Sequence, residues 1–142
     1  ISQILHDETF DVIHAETSYI MQNIPQTNIP IVLVEHNIEY LVYQRFMKQA
    51  MFLLRPFLAL DIKKLQSIEK SYWKRAAYIV TVSEKEKEVI NMPNVSVVPN
   101  GVDIDMFTMK KNLFITNKTQ ADILFIGDFK WIQNRDSARW IM

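Results

Sequence analysis

Five short apolar runs constrain this chain more than any other feature. They are FDVIHA (10–15), PIVLVEH (30–36), AYIVTVS (77–83), VSVVP (95–99) and DILFIG (122–127). Most are nearly continuous in β-branched or aliphatic residues, without clean alternation of polar and apolar positions. A strand with one wet face alternates, whereas a strand covered on both faces does not, so the runs predict a parallel sheet. Helical patterns stand between several of them, TSYIMQNI after the first run and SEKEKEVINM after the third. Ser83 and Glu86 open the second of these as a capping box, in which each side chain can satisfy a backbone N–H left unpaired by the helix start. Strands alternating with helices predict an α/β fold with a doubly wound, parallel sheet and flanking helices.

Charge narrows the possible functions. The chain has 142 residues, about one domain's length, with sixteen basic and sixteen acidic side chains. That balance argues against a general nucleic-acid binder. The absence of cysteine excludes a disulfide framework and cysteine-based metal sites, and fixes no compartment. The longest apolar run, AMFLLRPFLAL (50–60), is too short to span a bilayer and is broken by Arg55 and Pro56. The charge is unevenly spread. Residues 38–76 hold eight basic side chains against Glu39, Asp61 and Glu69, a net charge of +5, which leaves −5 for the remainder. Pro56 should divide this insert into two helices, because proline is tolerated in a first turn and not in a helix interior. Seven aromatic residues, Tyr40, Tyr43, Phe46, Phe52, Phe57, Tyr72 and Trp73, are interleaved with the charges. The plain reading is a pair of amphipathic helices with core aromatics and a solvated basic face. The sharper one is a surface that meets anionic lipid or an anionic acceptor.

The rest of the chain supplies punctuation. Residues 100–120 are polar and poorly periodic, a connector entered through a turn at Pro99-Asn100-Gly101. The triplets at Asn94 and Asn117 match a glycosylation pattern that arises often by chance. Ile1, Ile4 and Leu5 share one helical face at the start, and a new helix begins near the end. With only two glycines, Gly101 and Gly127, the chain is expected to be an internal piece of a longer protein.

Ligands of open α/β sheets bind at the carboxyl ends of the strands. There the chain places His14 and Glu16, then Glu35, His36 and Asn37, then Ser83, then Gly127 and Asp128. A histidine in such a position can donate a hydrogen bond, move a proton or bind a metal. His36, between a carboxylate and an amide, is the favoured candidate. His14 could equally be a core residue, and His6 is expected at the surface. A metal site could be assembled from His14, Glu16, Glu35 and His36, but these residues lack compact ligand spacing. Ser83 lacks the glycine-flanked elbow of a hydrolase nucleophile, and its capping role accounts for it. Gly127 lets a ligand approach the strand end, and the helix after it favours an anion. No second or third glycine follows, so the dinucleotide fingerprint is absent.

The order of the pieces is more specific than any one of them. FDVIHAE, IPIVLVEHNIEY, AYIVTVSEKEKEVI, VSVVPNGVDIDMF and ILFIGDFKWIQN, in that order, resemble the group 1 (family 4) glycosyltransferases of the GT-B fold. The resemblance covers nearly the whole chain, and VVPNGVD with its spacing to ILFIG is its most specific part. It implies two Rossmann-like lobes facing each other across a cleft, the first mainly for the acceptor and the second mainly for the nucleotide-sugar. Residues 1–100 then correspond to the second half of the acceptor lobe, 101–120 to the interlobe connector, and 121–142 to the first βα unit of the donor lobe.

The resemblance also implies roles. The histidine matching His36 contacts the transferred sugar near the reacting centre, where it can donate to a hydroxyl or share charge with the leaving diphosphate. Glu16, Asn37, Asn100 and Gly101 are expected at the substrates, and Gly127 and Lys130 at the nucleotide-sugar. Family members commonly carry an arginine after that glycine and a lysine further on. Here Asp128 and, roughly, Gln133 hold those positions, leaving Lys130 as the loose substitute. The family retains anomeric configuration and generally works without a bound metal, so the expected donor is a nucleotide-sugar substrate with no cofactor. The acceptor is expected to be a saccharide or a lipid-linked one. The family's downstream carboxylate pair and its glycine-rich acceptor-lobe loop lie outside this chain, so the chain alone is expected to be inactive. The expected setting is cytoplasmic, with peripheral contact at the inner membrane face. Two rivals remain at this point: a non-catalytic Rossmann-like binding module whose basic insert docks on a membrane or partner, and a small metal-dependent hydrolase.

Overall fold

The computed structural model describes residues 1–107 and 123–142. They form two compact units, Ile1–Val102 and Asp103–Met142. The first contains α1 (Ser2–Asp7), β1 (Ile13–Glu16), α2 (Ser18–Met21), β2 (Ile31–Glu35) and α3 (Glu39–Gln49). A 3₁₀ turn (Phe52–Leu54) follows, then α4 (Arg55–Arg75), β3 (Tyr78–Thr81), α5 (Glu84–Ile90) and β4 (Val95–Val97). The four strands are all parallel and lie in the order β1-β2-β3-β4. The fold is α/β, a Rossmann-like parallel sheet with flanking helices. Strand order follows chain order, so the reversal that defines double winding is not among the described strands.

Register explains the core. Ala15, Leu33, Ile79 and Val95 align in one row across the sheet, and none is more than 6% exposed. Met21, Ile24, Ile62, Trp73 and Ile90 join them in one apolar cluster. The opposite face is less covered: Val32, Val34 and Val80 are half-buried, and His14 and Glu16 are exposed. The expectation of strands buried on both faces is thus corrected. Valines on the half-buried face hide the alternation that burial itself shows.

Pro56 divides the insert as expected, sitting in the first turn of α4 where its missing N–H costs nothing. Several polar residues of the insert are structural. No side chain of its own N-cap holds α3; instead the Glu39 and Tyr40 N–H groups donate to the buried Glu69 carboxylate at 2.8 and 2.9 Å. Arg75 donates to the carbonyls of Met21 (3.2 Å), Ile24 (2.7 Å) and Pro25, fixing α4 to the segment between α2 and β2. Arg55 donates to the carbonyls of Ala50 at 3.1 Å and Lys48 at 3.0 Å, which closes the bend between α3 and α4. Tyr40 and Trp73 pack ring to ring, 6.4 Å between centroids. At the start of α5 only half of the capping box forms. Ser83 Oγ accepts from Glu86 N–H at 3.4 Å, while the Glu86 carboxylate takes the Ser83 hydroxyl at 2.9 Å rather than a backbone N–H.

The second unit holds α6 (Ile132–Ile141) and the loop before it. The fifth strand expected over 122–127 is not formed by its described residues, 123–127, and Ile123, Leu124 and Ile126 are more than 70% exposed. A strand exists only where a neighbour takes its backbone hydrogen bonds, and the described part of this unit contains no second strand to do so. Most of the expected connector, and the Asn117 triplet, lie outside the described residues. At the other triplet the Asn94 amide is engaged, donating to the carbonyls of Ala76 (3.3 Å) and Ala77 (3.0 Å).

Candidate active site at the carboxyl edge of the sheet

Side chains along a strand alternate between faces. His14 and Glu16 therefore share one face of β1. Glu16 lies in register with Val34, and His36 stands two residues beyond Val34, so His36 reaches the same face. The structure brings the two together: His36 Nε2 lies 2.7 Å from Glu16 Oε2. A carboxylate only accepts, so Nε2–H is the donor and Nδ1 is the accepting nitrogen of the neutral ring. The contact has the short length of a charge-assisted hydrogen bond. His14 Nε2 stands 3.6 Å from the other oxygen, Glu16 Oε1, too far for a hydrogen bond. All three side chains are about half exposed, open to a ligand. Asn37 is also exposed at this edge.

The backbone between β1 and α2 is strained. Thr17, directly after Glu16, has φ 70° and ψ 149°, and its N–H donates to the Val34 carbonyl at 2.8 Å. A β-branched residue at positive φ is an outlier that costs on the order of 1–3 kcal/mol, and such outliers gather at functional sites. Here it turns the chain sharply from β1 into α2, leaving Glu16 at the edge and sending Ser18 inward.

Glu35 goes to the opposite face, one residue out of phase with His36. It is 1% exposed, and accepts hydrogen bonds from Ser18 Oγ at 3.1 Å and from Trp73 Nε1 at 2.9 Å. Burial pushes its carboxyl up to about 7, against the pull of those two hydrogen bonds. Burial likewise raises Glu69, opposed by its two backbone donors. The metal site considered from sequence therefore loses Glu35 to the core. Among the described residues no group of three or more such side chains is arranged to hold a metal. Tyr19, just past the edge, has its hydroxyl raised above its ordinary range, first by burial and then by Glu39.

Two of the clefts among the described residues are lined without His36 or Glu16. One is lined by Ser18, Tyr19, Glu39 and Tyr72 among others. The other runs between α3 and α4.

Asn100 and Gly101 follow β4 in an exposed segment of the first unit. Gly101 has neither a positive φ nor any atom within 4 Å of an added Cβ, so this backbone does not require glycine there. Gly127 and Lys130 belong to the second unit. An added Cβ at Gly127 would stand 3.1 Å from both the Asn134 and Phe125 side chains, which explains the glycine by close packing. Asp128, at the position where the family resemblance leads one to expect arginine, shapes the loop: Oδ1 accepts from Lys130 N–H at 2.9 Å, and its carbonyl accepts from Asn134 Nδ2 at 3.0 Å. The Gln133 side chain lies outside the described residues.

Sequence reasoning missed Glu69, Arg75, Ser18 and Thr17. Glu69 carries a faint signal. Glu69 falls in line with Ile62 and Trp73 on a helical face, and a charge on an apolar face needs a partner. The strain at Thr17 leaves none.

The model of the family described as Glycosyltransferase Family 4 matches residues 1–106. The match covers most of the chain and all four strands, and the chain belongs to glycosyltransferase family 4. Searches of curated proteins and of solved structures return no match. Family membership gives a glycosyltransferase-type function, with a sugar donor and an acceptor as its partners in general terms.

Proposed function

We propose that the chain is the acceptor-side part of a retaining glycosyltransferase that moves a sugar from a nucleotide-sugar to a saccharide or lipid-linked acceptor. The His36–Glu16 hydrogen bond of 2.7 Å at the carboxyl edge carries this reading, taken with the family. In it, Glu16 holds the imidazole in the tautomer that donates from Nε2. Nδ1 is then free to accept from a sugar hydroxyl, and a protonated ring can share charge with the departing diphosphate. Asn37, Asn100 and Gly101 lie on the acceptor-side unit in this reading, and Gly127 with Lys130 on the nucleotide side. The nucleotide-sugar is a substrate here and not a resident cofactor. Peripheral contact with an anionic membrane belongs to the same reading and is supported by the basic, aromatic helical insert.

The test is a panel of nucleoside diphosphate sugars with the full-length protein, following nucleotide release and the anomeric configuration of the product by NMR. Turnover of a donor with unchanged anomeric configuration is the expected result. An inverted product would overturn the retaining mechanism, and no turnover of any donor would overturn the transferase.

A further inference from the structure

The helical hairpin of α3 and α4 stands away from the core at its outer end. The buried residues of α4 begin at Ile62, and no residue between 50 and 61 is buried. At this end Met51, Phe52, Leu53 and Phe57 are each about 70–80% exposed, and Leu54 and Leu60 more than half. They are consecutive or one helical turn apart, so they form one apolar tip. The connection is not loose. Arg55 ties its two sides through the Ala50 and Lys48 carbonyls, and the 3₁₀ turn shapes the residues between. Monomeric proteins rarely leave so continuous an apolar patch in water.

Charge indicates what meets the tip. From Arg45 to Lys64 the chain holds five basic residues and a single acidic one, Asp61, which pairs with Lys64 at 3.8 Å. Arg45, Lys48 and Lys63 are exposed on the turns behind the apolar residues. An apolar edge backed by cations suits the boundary between acyl chains and anionic headgroups, where long basic side chains reach the phosphates while the apolar residues enter the bilayer. No described helix is long and apolar enough to cross a membrane, so the contact is interfacial.

We infer that the α3–α4 tip is an interfacial wedge that seats the protein on anionic bilayers through Met51, Phe52, Leu53 and Phe57, with Arg45, Lys48 and Lys63 on the headgroups. This deepens and rests on the transferase reading only in supposing a membrane-proximal acceptor; lipid binding itself is measured without any sugar chemistry. Full-length protein is co-sedimented with phosphatidylcholine vesicles, with and without phosphatidylglycerol. Binding is expected to require phosphatidylglycerol and to weaken with salt, which screens exposed charges over about 10 Å at 0.1 M. Phe52→Ser/Leu53→Ser should reduce vesicle affinity about tenfold or more, and Lys48→Glu/Lys63→Glu should remove the preference for phosphatidylglycerol. Both pairs are exposed and should keep the wild-type melting temperature and donor turnover in free solution. Absence of vesicle binding, equal binding to neutral vesicles, or binding untouched by the tip substitutions would overturn the inference. A concentration-dependent dimer abolished by Phe52→Ser/Leu53→Ser would also overturn it, by assigning the tip to a second copy.

Discussion

His36 and Glu16 are twenty residues apart and meet because of strand parity. His14, Glu16, Val34 and His36 share a phase, whereas Glu35 is out of phase and enters the core. The sequence alone therefore marks the carboxyl end of β2 as polar, but does not say which of its two titratable groups faces a ligand. That depends on the register between β1 and β2, a long-range fact. Once the register is known, the separation follows. Glu35 has its own testable consequence. Its carboxyl rises from 4.5 to about 7 on folding, so the folded protein holds a proton that the unfolded chain has released. Stability is fully present below about pH 4.5 and is lost as pH rises from there to about 7. The loss is at most about 1.4 kcal/mol for each pH unit crossed. Glu35→Gln keeps an acceptor for Trp73 and removes the titration. Chemical unfolding of the two proteins at pH 5 and pH 8 should show a flatter pH dependence in the variant. An unchanged slope would mean that Glu35 does not carry the proton.

At the scale of elements, α3 and α4 form one device in which α4 satisfies both ends of α3, Glu69 at its start and Arg55 at its end. The division at Pro56 was readable because proline has few tolerated positions. The cap of α3 was not, because its carboxylate comes from Glu69, thirty residues downstream. Glu69→Ala leaves the Glu39 and Tyr40 N–H groups without their acceptor and should cost about 2 kcal/mol. Hydrogen exchange at those two amides should accelerate while the β2 and β3 amides keep their protection relative to global unfolding. Unaltered exchange at Glu39 and Tyr40 would show that water or another group caps α3 equally well. The same logic divides the basic residues of the insert. Arg55 and Arg75 hold backbone carbonyls, so the sequence-level picture of one solvated basic face overcounts it. The aromatics divide too: Tyr40 and Trp73 are core, and Phe52 and Phe57 are exposed.

Across the whole molecule, the class of fold was legible because apolar runs separated by helical patterns admit few arrangements. The family was legible from the order of motifs, and its model matches residues 1–106. The run at 122–127 misled for a physical reason: apolar character makes a segment fit for a sheet, but pairing needs a neighbour, and the described second unit offers none. The central claim is that the polar edge built by β1 and β2 is where sugar transfer occurs. His36 is half exposed at that edge and outside the apolar cluster, so its replacement is expected to disturb folding little. The most direct measurement is turnover and melting temperature of purified full-length His36→Ala beside the wild type. A rate lower by roughly 10²-fold, with stability within about 0.5 kcal/mol, is the predicted result. Normal turnover, or a clear loss of stability with normal activity in the folded fraction, would contradict the claim.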